Sequence, residues 1–227
     1  MLQEYEWERE YRKPTFLTIE NKPQSDVVRF VKFLKEQECI IENSCVLDLG
    51  FGTGRNSFYF AELGAHVTGL EISETAVRIA KKNANNAGLN ITYKKQSIGD
   101  VFPVENSRVN ILLDITSSNS LSEAEREVYL IESHRVLHPE GYFFVKALCK
   151  DGDQNAKNLL KQFPGKEKDT YILPDVGVME RVWTKEDFVE TYERYFKIIK
   201  LEKKTSYTRM NNRPYKRNFW IAYMKKK

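Results

Sequence analysis

The sequence predicts an α/β protein built on a doubly wound, seven-stranded sheet, mostly parallel, that closes on a C-terminal antiparallel hairpin. Three observations carry this expectation. Strand-like and helix-like patterns alternate five times between Cys45 and Leu148, as parallel sheets with crossover helices require. A glycine-rich loop, in the string CVLDLGFGTGRN, lies between the first strand and its helix. Two long strand-like segments, 196–208 and 218–224, flank the turn-rich string MNNRP near the end of the chain.

The elements follow in order. Residues 1–20 mix Trp7, Tyr11 and Phe16 with charge, and Pro14 interrupts any long helix, so they form an arm that packs on something else. Val27, Val28, Val31 and Leu34 recur at helical spacing behind Asp26, which predicts a helix to about Glu38. The first strand is Cys45 to Leu49. An apolar helix carrying Phe58, Tyr59, Ala61 and Leu63 then stops at Gly64, and a second strand runs from Ala65 to Leu70. Ser73 caps a helix striped by Ala76, Val77, Ala80 and Ala84. Strands at 91–95 and 109–113 are separated by about a dozen residues, which leaves no room for more than a brief helix. Ser122 and Glu125 have capping-box spacing for a helix carrying Ala124, Val128, Ile131 and Val136, and Pro139 and Gly141 end it before a strand from Tyr142 to Leu148.

Residues 150–182 break the rhythm. They are polar, are punctuated by Gly152, Pro164, Gly165, Pro174 and Gly177, and follow a strand's carboxyl end, where open α/β sheets carry ligand-contacting segments. They are expected to form a substrate lid. Thr184 with Asp187, and Trp183 with Phe188, predict a capped and stapled helix to about Tyr195. Nothing resembles a flexible linker, so the chain reads as one domain over 1–227: an arm and helix at 1–40, a ligand-binding core at 45–147, the insertion at 150–182, and a helix with hairpin at 184–227.

Composition narrows the classes. A 41% hydrophobic share supports a substantial core and argues against disorder. No apolar run approaches the ~18 residues of a membrane span, and the amino end is charged where a signal peptide is apolar, so a cytoplasmic protein is expected. Cys39, Cys45 and Cys149 have no metal-ligand spacing and an odd count, which suggests buried thiols and no metal. From Arg194 onward twelve Lys and Arg face Glu202 alone, while residues 1–193 carry a formal −7. That basic end reads as a lysine-protected sheet edge, as a partner for the acidic remainder, or as a surface for an anionic partner. A monomer is the default.

The glycine loop defines the ligand. A dinucleotide fingerprint needs GxGxxG or GxGxxA, and counting from Gly50 the third position is Arg55. A phosphate-binding GxxxxGK followed by Ser or Thr is absent. Glu71, in VTGLEIS, is a strand-end acid suited to both hydroxyls of a ribose. Ile72 gives apolar surface for an adenine, and Ser97 and Ile98 add a polar contact and a second apolar face.

With these residues in place the sequence resembles the class I S-adenosylmethionine-dependent methyltransferases. The strings VLDLGFGTGRN, VTGLEIS and RVLHPEGYFFV carry the resemblance in that order, over residues 45–147. It implies a Rossmann-like fold and S-adenosylmethionine as cofactor, with S-adenosylhomocysteine as product. Asp48, Gly50, Gly52 and Gly54 would surround its methionine part, and Glu71 would hold its ribose. The run GTGRNSFYFAELG looks most like the tellurite-resistance and thiopurine branch of small-molecule methyltransferases, which places Arg55 and Asn56 at the cofactor end of their helix. The chain departs from the family by having Ser97 and Ile98, with Asp100 beyond, in place of an acidic GDA string, and LHPEG in place of LKPGG.

Candidates for chemistry lie in DITSSNS, where Asp114, Ser117 and Asn119 are expected to face the methyl group. The bland reading is a strand-end turn capped by short polar residues. His66 and His134 read as structural. The (D/N/S)PP(Y/F/W) string that accompanies base-amino methylation is absent, as is the DxxDP acid pair of polyamine synthases, and Cys149 lacks the motif of ring-carbon methylation. The expectation is a methyltransferase acting on a small molecule whose arm and insertion close over the acceptor. The alternative is an RNA-directed enzyme, or a cofactor-binding module without activity, that uses the basic C-terminal region.

Overall fold

The computed structural model describes residues 2–14, 22–210 and 213–227. Phe16 of the arm and the Asn211–Asn212 turn lie outside the described residues. Along the chain come α1 (Leu2–Arg12), α2 (Ser25–Glu36), β1 (Cys45–Leu49), α3 (Arg55–Glu62), β2 (His66–Glu71), α4 (Glu74–Asn86), β3 (Ile91–Lys95) and β4 (Val109–Ile115). After a 3-10 turn at Ser118–Ser120 follow α5 (Glu123–Val136), β5 (Leu137–Leu148), α6 (Gln154–Gln162), β6 (Thr170–Ile172), β7 (Met179–Arg181), α7 (Lys185–Tyr192), β8 (Phe196–Met210) and β9 (Arg213–Lys226).

Seven strands form one sheet in the order β3-β2-β1-β4-β5-β9-β8. The first five pair in parallel, and β9 runs antiparallel between β5 and β8. Because side chains alternate across a strand, the sheet buries two cores. Leu47, Leu112, Phe143 and Val145 face Tyr129 and Leu130 of α5 and Phe188 and Tyr192 of α7. Val46, Ile111, Leu113 and Phe144 face Val27, Phe30 and Leu34 of α2 and Phe60 of α3. β1 sends one crossover to β2 and is flanked on its other side by β4, so a crevice opens at the carboxyl ends of β1 and β4.

The expected strands and helices are present, with four corrections. On α5 the predicted stripe is rotated: Ala124 and Ile131 are exposed, while Arg126, Tyr129, Leu130, Glu132 and Ser133 are buried. Charge inside is tolerated at Glu132 because its carboxylate accepts from Phe102 N at 2.7 Å and from Arg135 Nη2 at 2.6 Å. β5 starts at Leu137, five residues before the expected Tyr142, because Leu137 pairs with Val109 ahead of an irregularity in the ladder. α7 stops at Tyr192 and not at Tyr195, since β8 begins at Phe196. Finally, residues 150–182 are not merely polar. Their α6 and β6–β7 hairpin enclose a small core of Ala156, Leu159, Tyr171, Leu173, Val176, Val178 and Val182, with Trp7 of α1 packed against it.

The basic C-terminal end meets the acidic remainder of the chain. Lys204 pairs with Asp26, which also holds Lys146 of β5, and Arg217 pairs with Asp153 at 3.3 Å, Lys225 with Glu140 at 3.4 Å, and Arg194 with Glu127 at 2.8 Å. β8 is the sheet edge and carries Lys197, Lys200, Lys203 and Lys204. No helix among the described residues is long and apolar enough to cross a membrane.

Candidate active site

A cavity of about 210 Å³ fills the crevice. Its floor is the glycine loop. Gly50, Gly52 and Gly54 all have positive φ, which lets the chain turn sharply from β1 into α3. Space is also decisive: a Cβ would lie 2.2 Å from Ser117 Oγ at Gly50, 2.7 Å from the Tyr11 hydroxyl at Gly52 and 2.6 Å from the Tyr93 hydroxyl at Gly54. Ser117 Oγ in turn donates to Gly50 O at 3.2 Å, tying the loop to the turn after β4.

Two carboxylates define the floor's electrostatics. Glu71 ends β2 and accepts from Gly52 N at 3.0 Å and from Ser73 N at 2.9 Å, one bond to each oxygen. Burial raises its pKa against the lowering effect of those N–H groups. Asp48 lies below the loop with its Oδ2 accepting from Ser57 Oγ at 2.6 Å. Burial, with Glu71 and Asp114 nearby, pushes its carboxyl up to about 7 although the Ser57 bond opposes this.

Above the floor lies α1. Glu8 accepts from Ser73 Oγ at 2.7 Å, Thr75 N at 3.0 Å and Thr75 Oγ1 at 2.8 Å, so the arm completes the N-terminal cap that Ser73 begins on α4. Burial alone would raise the Glu8 pKa, but these bonds hold it at about 2. Arg9 donates to Val176 O in the insertion, and Lys95 pairs with Glu4 at 2.6 Å. Gln3, Trp7 and Tyr11 thereby close the cavity from above.

Of the predicted site residues, Asp48, Gly50, Gly52, Arg55, Asn56, Glu71, Ile72, Ser97, Ile98 and Ser117 line this cavity together. Gly54 does not; it is the left-handed residue ahead of α3, pressed against the Tyr93 hydroxyl and the Phe58 ring. Asp114 is a correction. Strand alternation turns it beneath α5, where it is fully buried and accepts from Tyr129 OH at 2.7 Å, Ser117 N at 3.0 Å and Ser118 N at 3.2 Å. Asn119 is another: its side chain turns back to accept from Leu148 N at 3.2 Å and to donate to Thr116 O at 3.3 Å, which stitches the turn to β5. Neither reaches the cavity. Asp100 is exposed and outside it. Cys149 is buried, with burial pushing its thiol up to about 12, so it stays protonated at neutral pH. No cluster of metal-ligating side chains occurs among the described residues.

Sequence reasoning missed Gln24, Thr53, Thr116, Ser120, Leu121 and Glu125 on the cavity wall. Thr116 and Ser120 lie within the DITSSNS string, and Glu125 carried a signal through its capping box that described a helix and not a site. The floor fits a nucleoside bearing a compact zwitterion. Glu71 keeps acceptor capacity after its two backbone bonds, and Ile72, Ile98 and Phe51 supply apolar surface.

Comparison with known proteins agrees with this geometry. Residues 46–141 match the methyltransferase domain family. A ubiquinone biosynthesis O-methyltransferase of Coxiella burnetii is 28% identical over 139 residues, 61% of this chain and 56% of that protein. A 23S rRNA (uracil(747)-C(5))-methyltransferase of Pyrococcus abyssi is 45% identical over 60 residues, 26% of this chain and 15% of that one. The chain thus spans between about a seventh and somewhat over half of these curated relatives. Among solved structures, 1,6-didemethyltoxoflavin-N1-methyltransferase of Burkholderia thailandensis, with bound S-adenosylhomocysteine, has a TM-score of 0.71 at 15% identity, covering 99% of this chain and 87% of that one. TehB of Haemophilus influenzae has a TM-score of 0.68 at 19% identity, covering 98% and 67%. The strand order, the glycine loop with its strand-end acid and these matches together show a methyltransferase domain at residues 46–141, set in a Rossmann-like fold.

Proposed function

We propose that the protein transfers a methyl group from S-adenosylmethionine to a small molecule held between the glycine-loop floor and the α1 roof. The observation that carries this reading is the enclosure. The cavity reaches the cofactor floor through walls made by α1, Gln24 and the turn after β4, which favours a small acceptor over a polynucleotide.

When bound, S-adenosylmethionine supplies an electrophilic methyl group on a sulfonium. Glu71, oriented by Gly52 N and Ser73 N, accepts from the ribose hydroxyls. Asp48 fixes the underside of the loop through Ser57. Ile72 and Ile98 would offer the adenine apolar surface and Ser97 a polar contact; the Ser97 hydroxyl also accepts from Gly99 N at 3.0 Å. Ser117, Thr116, Gln24, Trp7 and Tyr11 surround the acceptor end. Asp114 and Asn119 act as positioning residues: one holds the backbone of Ser117 and Ser118, the other locks the turn to β5. Their side chains are committed elsewhere, so the chemistry rests on proximity and in-line alignment, which supplies much of the rate in a displacement that disperses charge.

The RNA-directed reading draws on the rRNA-acting relative and the basic C-terminal end. Against it, several cations of that end are paired with Asp26, Asp153, Glu140 and Glu127. The experiment is a thermal-shift series with S-adenosylmethionine, S-adenosylhomocysteine and NAD, followed by transfer of labelled methyl to size-fractionated cell extract. Stabilisation by both sulfur compounds and label in the small-molecule fraction are expected. No shift with either would overturn the cofactor assignment, and label in RNA alone would overturn the acceptor class.

A further inference from the structure

Behind the cavity wall lie two buried guanidinium groups that lack, among the described residues, the acceptors such groups normally have. Arg126, on the buried face of α5, is 3% exposed, and Arg181, at the end of β7, is 8% exposed. Both lie against the same ring, the indole of fully buried Trp183, with their Cζ atoms 5.2 and 4.0 Å from its centroid. Arg126 Nη2 donates to Leu121 O at 2.6 Å, but among the described residues its Nε and Nη1 find no acceptor, nor does Arg181 Nε or Trp183 Nε1. The carboxylate that Arg181 does approach is that of Glu123, 3.8 Å from Nη1 and largely exposed. Glu167, near Arg126, accepts from Glu123 N at 3.0 Å. Burial and the neighbouring Arg181 draw the Arg126 pKa down to about 10, which leaves that group charged at neutral pH.

Two like charges held in a dry site with unfilled donors are unfavourable, and apolar residues of similar volume would pack there at less cost to the fold. These groups lie just outside the cavity lining. Leu121, whose carbonyl binds Arg126, belongs to that lining, as does Ser120, whose buried Oγ also lacks a partner among the described residues. β7 packs directly on the Ser118–Ser120 turn and brings Arg181 to the same place.

We propose that Arg126 and Arg181 form the recognition site for a carboxylate carried by the methyl acceptor. The assignment rests on the reading of the cavity as the methyl-transfer site. A guanidinium presents its donors in a planar fork that matches the two oxygens of a carboxylate, and the indole of Trp183 supports both forks while adding a third N–H. One negative charge offsets what Glu123 leaves uncompensated. The donors are enclosed, so a group on a small molecule inside the cavity reaches them by displacing the Ser120–Leu121 edge, whereas a phosphodiester chain on the outer surface does not.

The test uses the full chain saturated with S-adenosylhomocysteine, with formate, acetate and benzoate as probes and formamide, acetamide and benzamide as neutral partners. Calorimetry and the Nε–Hε resonances of Arg126 and Arg181 are the readouts. At least one carboxylate is expected to bind at millimolar concentration and shift both resonances, its amide to bind at least about tenfold more weakly, and R126Q and R181Q to weaken the carboxylate by at least about tenfold. The same variants are expected to keep their affinity for S-adenosylhomocysteine and a Tm no lower than that of the parent, because each relieves a buried like-charge contact. Resonances unmoved by all three acids, acids and amides that bind alike, or variants that only lose stability would overturn the proposal. A short RNA oligonucleotide that shifts the two resonances would overturn it in favour of a phosphodiester. Failure of S-adenosylhomocysteine to bind while a carboxylate still does would instead defeat the methyl-transfer reading and leave the anion site standing.

Discussion

The floor of the cavity is continuous with parallel ladders, since Asp48 and Glu71 sit on β1 and β2, whose residues 45–49 and 66–70 pair in register, whereas the roof rests on side chains alone. α1 is held by Glu8 on Ser73 and Thr75, by Arg9 on Val176 O, and by Glu4 on Lys95. The floor is acidic and carries raised carboxyl pKa values; the buried cations Arg126 and Arg181 lie behind the wall, outside the cavity lining. The difference is one of attachment: backbone ladders hold the floor, while segments outside the sheet hold the roof through side chains.

The strongest way to break this contrast is to neutralise the floor. The Asp48 carboxyl sits at about 7 in the folded chain, well above its value of about 3.9 when unfolded. The folded state therefore binds this proton more tightly, and the contribution to stability is full below about pH 4 and is lost as pH rises through about 7. Glu71 and Asp114, also raised by burial, act in the same direction. Urea midpoints of the ligand-free protein should fall across that window, and Asp48→Asn should flatten the fall; an unchanged slope would show that Asp48 is not the titrating group.

Next in size is Gly50→Ala. A positive φ of 66° and a Cβ placed 2.2 Å from Ser117 Oγ should cost about 2–4 kcal/mol and displace the turn after β4. Chemical denaturation measures the first effect. A loss under about 0.5 kcal/mol would mean that loop and turn are not braced against each other.

The smallest effect belongs to the roof. Glu8→Gln keeps the shape of the side chain but gives up its charge at the start of α4, and should loosen α1 by about 1 kcal/mol with little change in global stability. Faster hydrogen exchange confined to α1 and the α4 cap is the expected signature. Equal acceleration through β1 and β2 would show that roof and floor open as one unit.

The same division governs what could be read from the sequence. Floor residues lie in contiguous strings whose spacing is set by strand, turn and helix geometry, so Gly50, Gly52, Glu71, Ser97 and Ile98 could be named without coordinates. Asp114 was misplaced because a strand-end acid looks the same whether alternation points it toward the crevice or beneath α5, and only the Tyr129 hydroxyl decides. Arg126 was invisible for a related reason. It stands on a helix whose apolar residues suggest a different buried face, and its meaning depends on Arg181 and Trp183, which are distant in the chain. Gln24 reaches the wall because Asn56 Oδ1 accepts from its backbone N–H at 3.0 Å and Lys146 donates to its side chain at 3.0 Å, contacts that no local pattern announces.

The measurement closest to the centre of this account is calorimetric titration of S-adenosylhomocysteine into the wild-type chain and into Glu71→Ala. The variant should bind at least about tenfold more weakly, because two hydroxyls lose a charged acceptor, each charge-assisted bond contributing about 1.5–3 kcal/mol. A dissociation constant identical in the two proteins would place the ribose elsewhere and contradict the assignment of the floor.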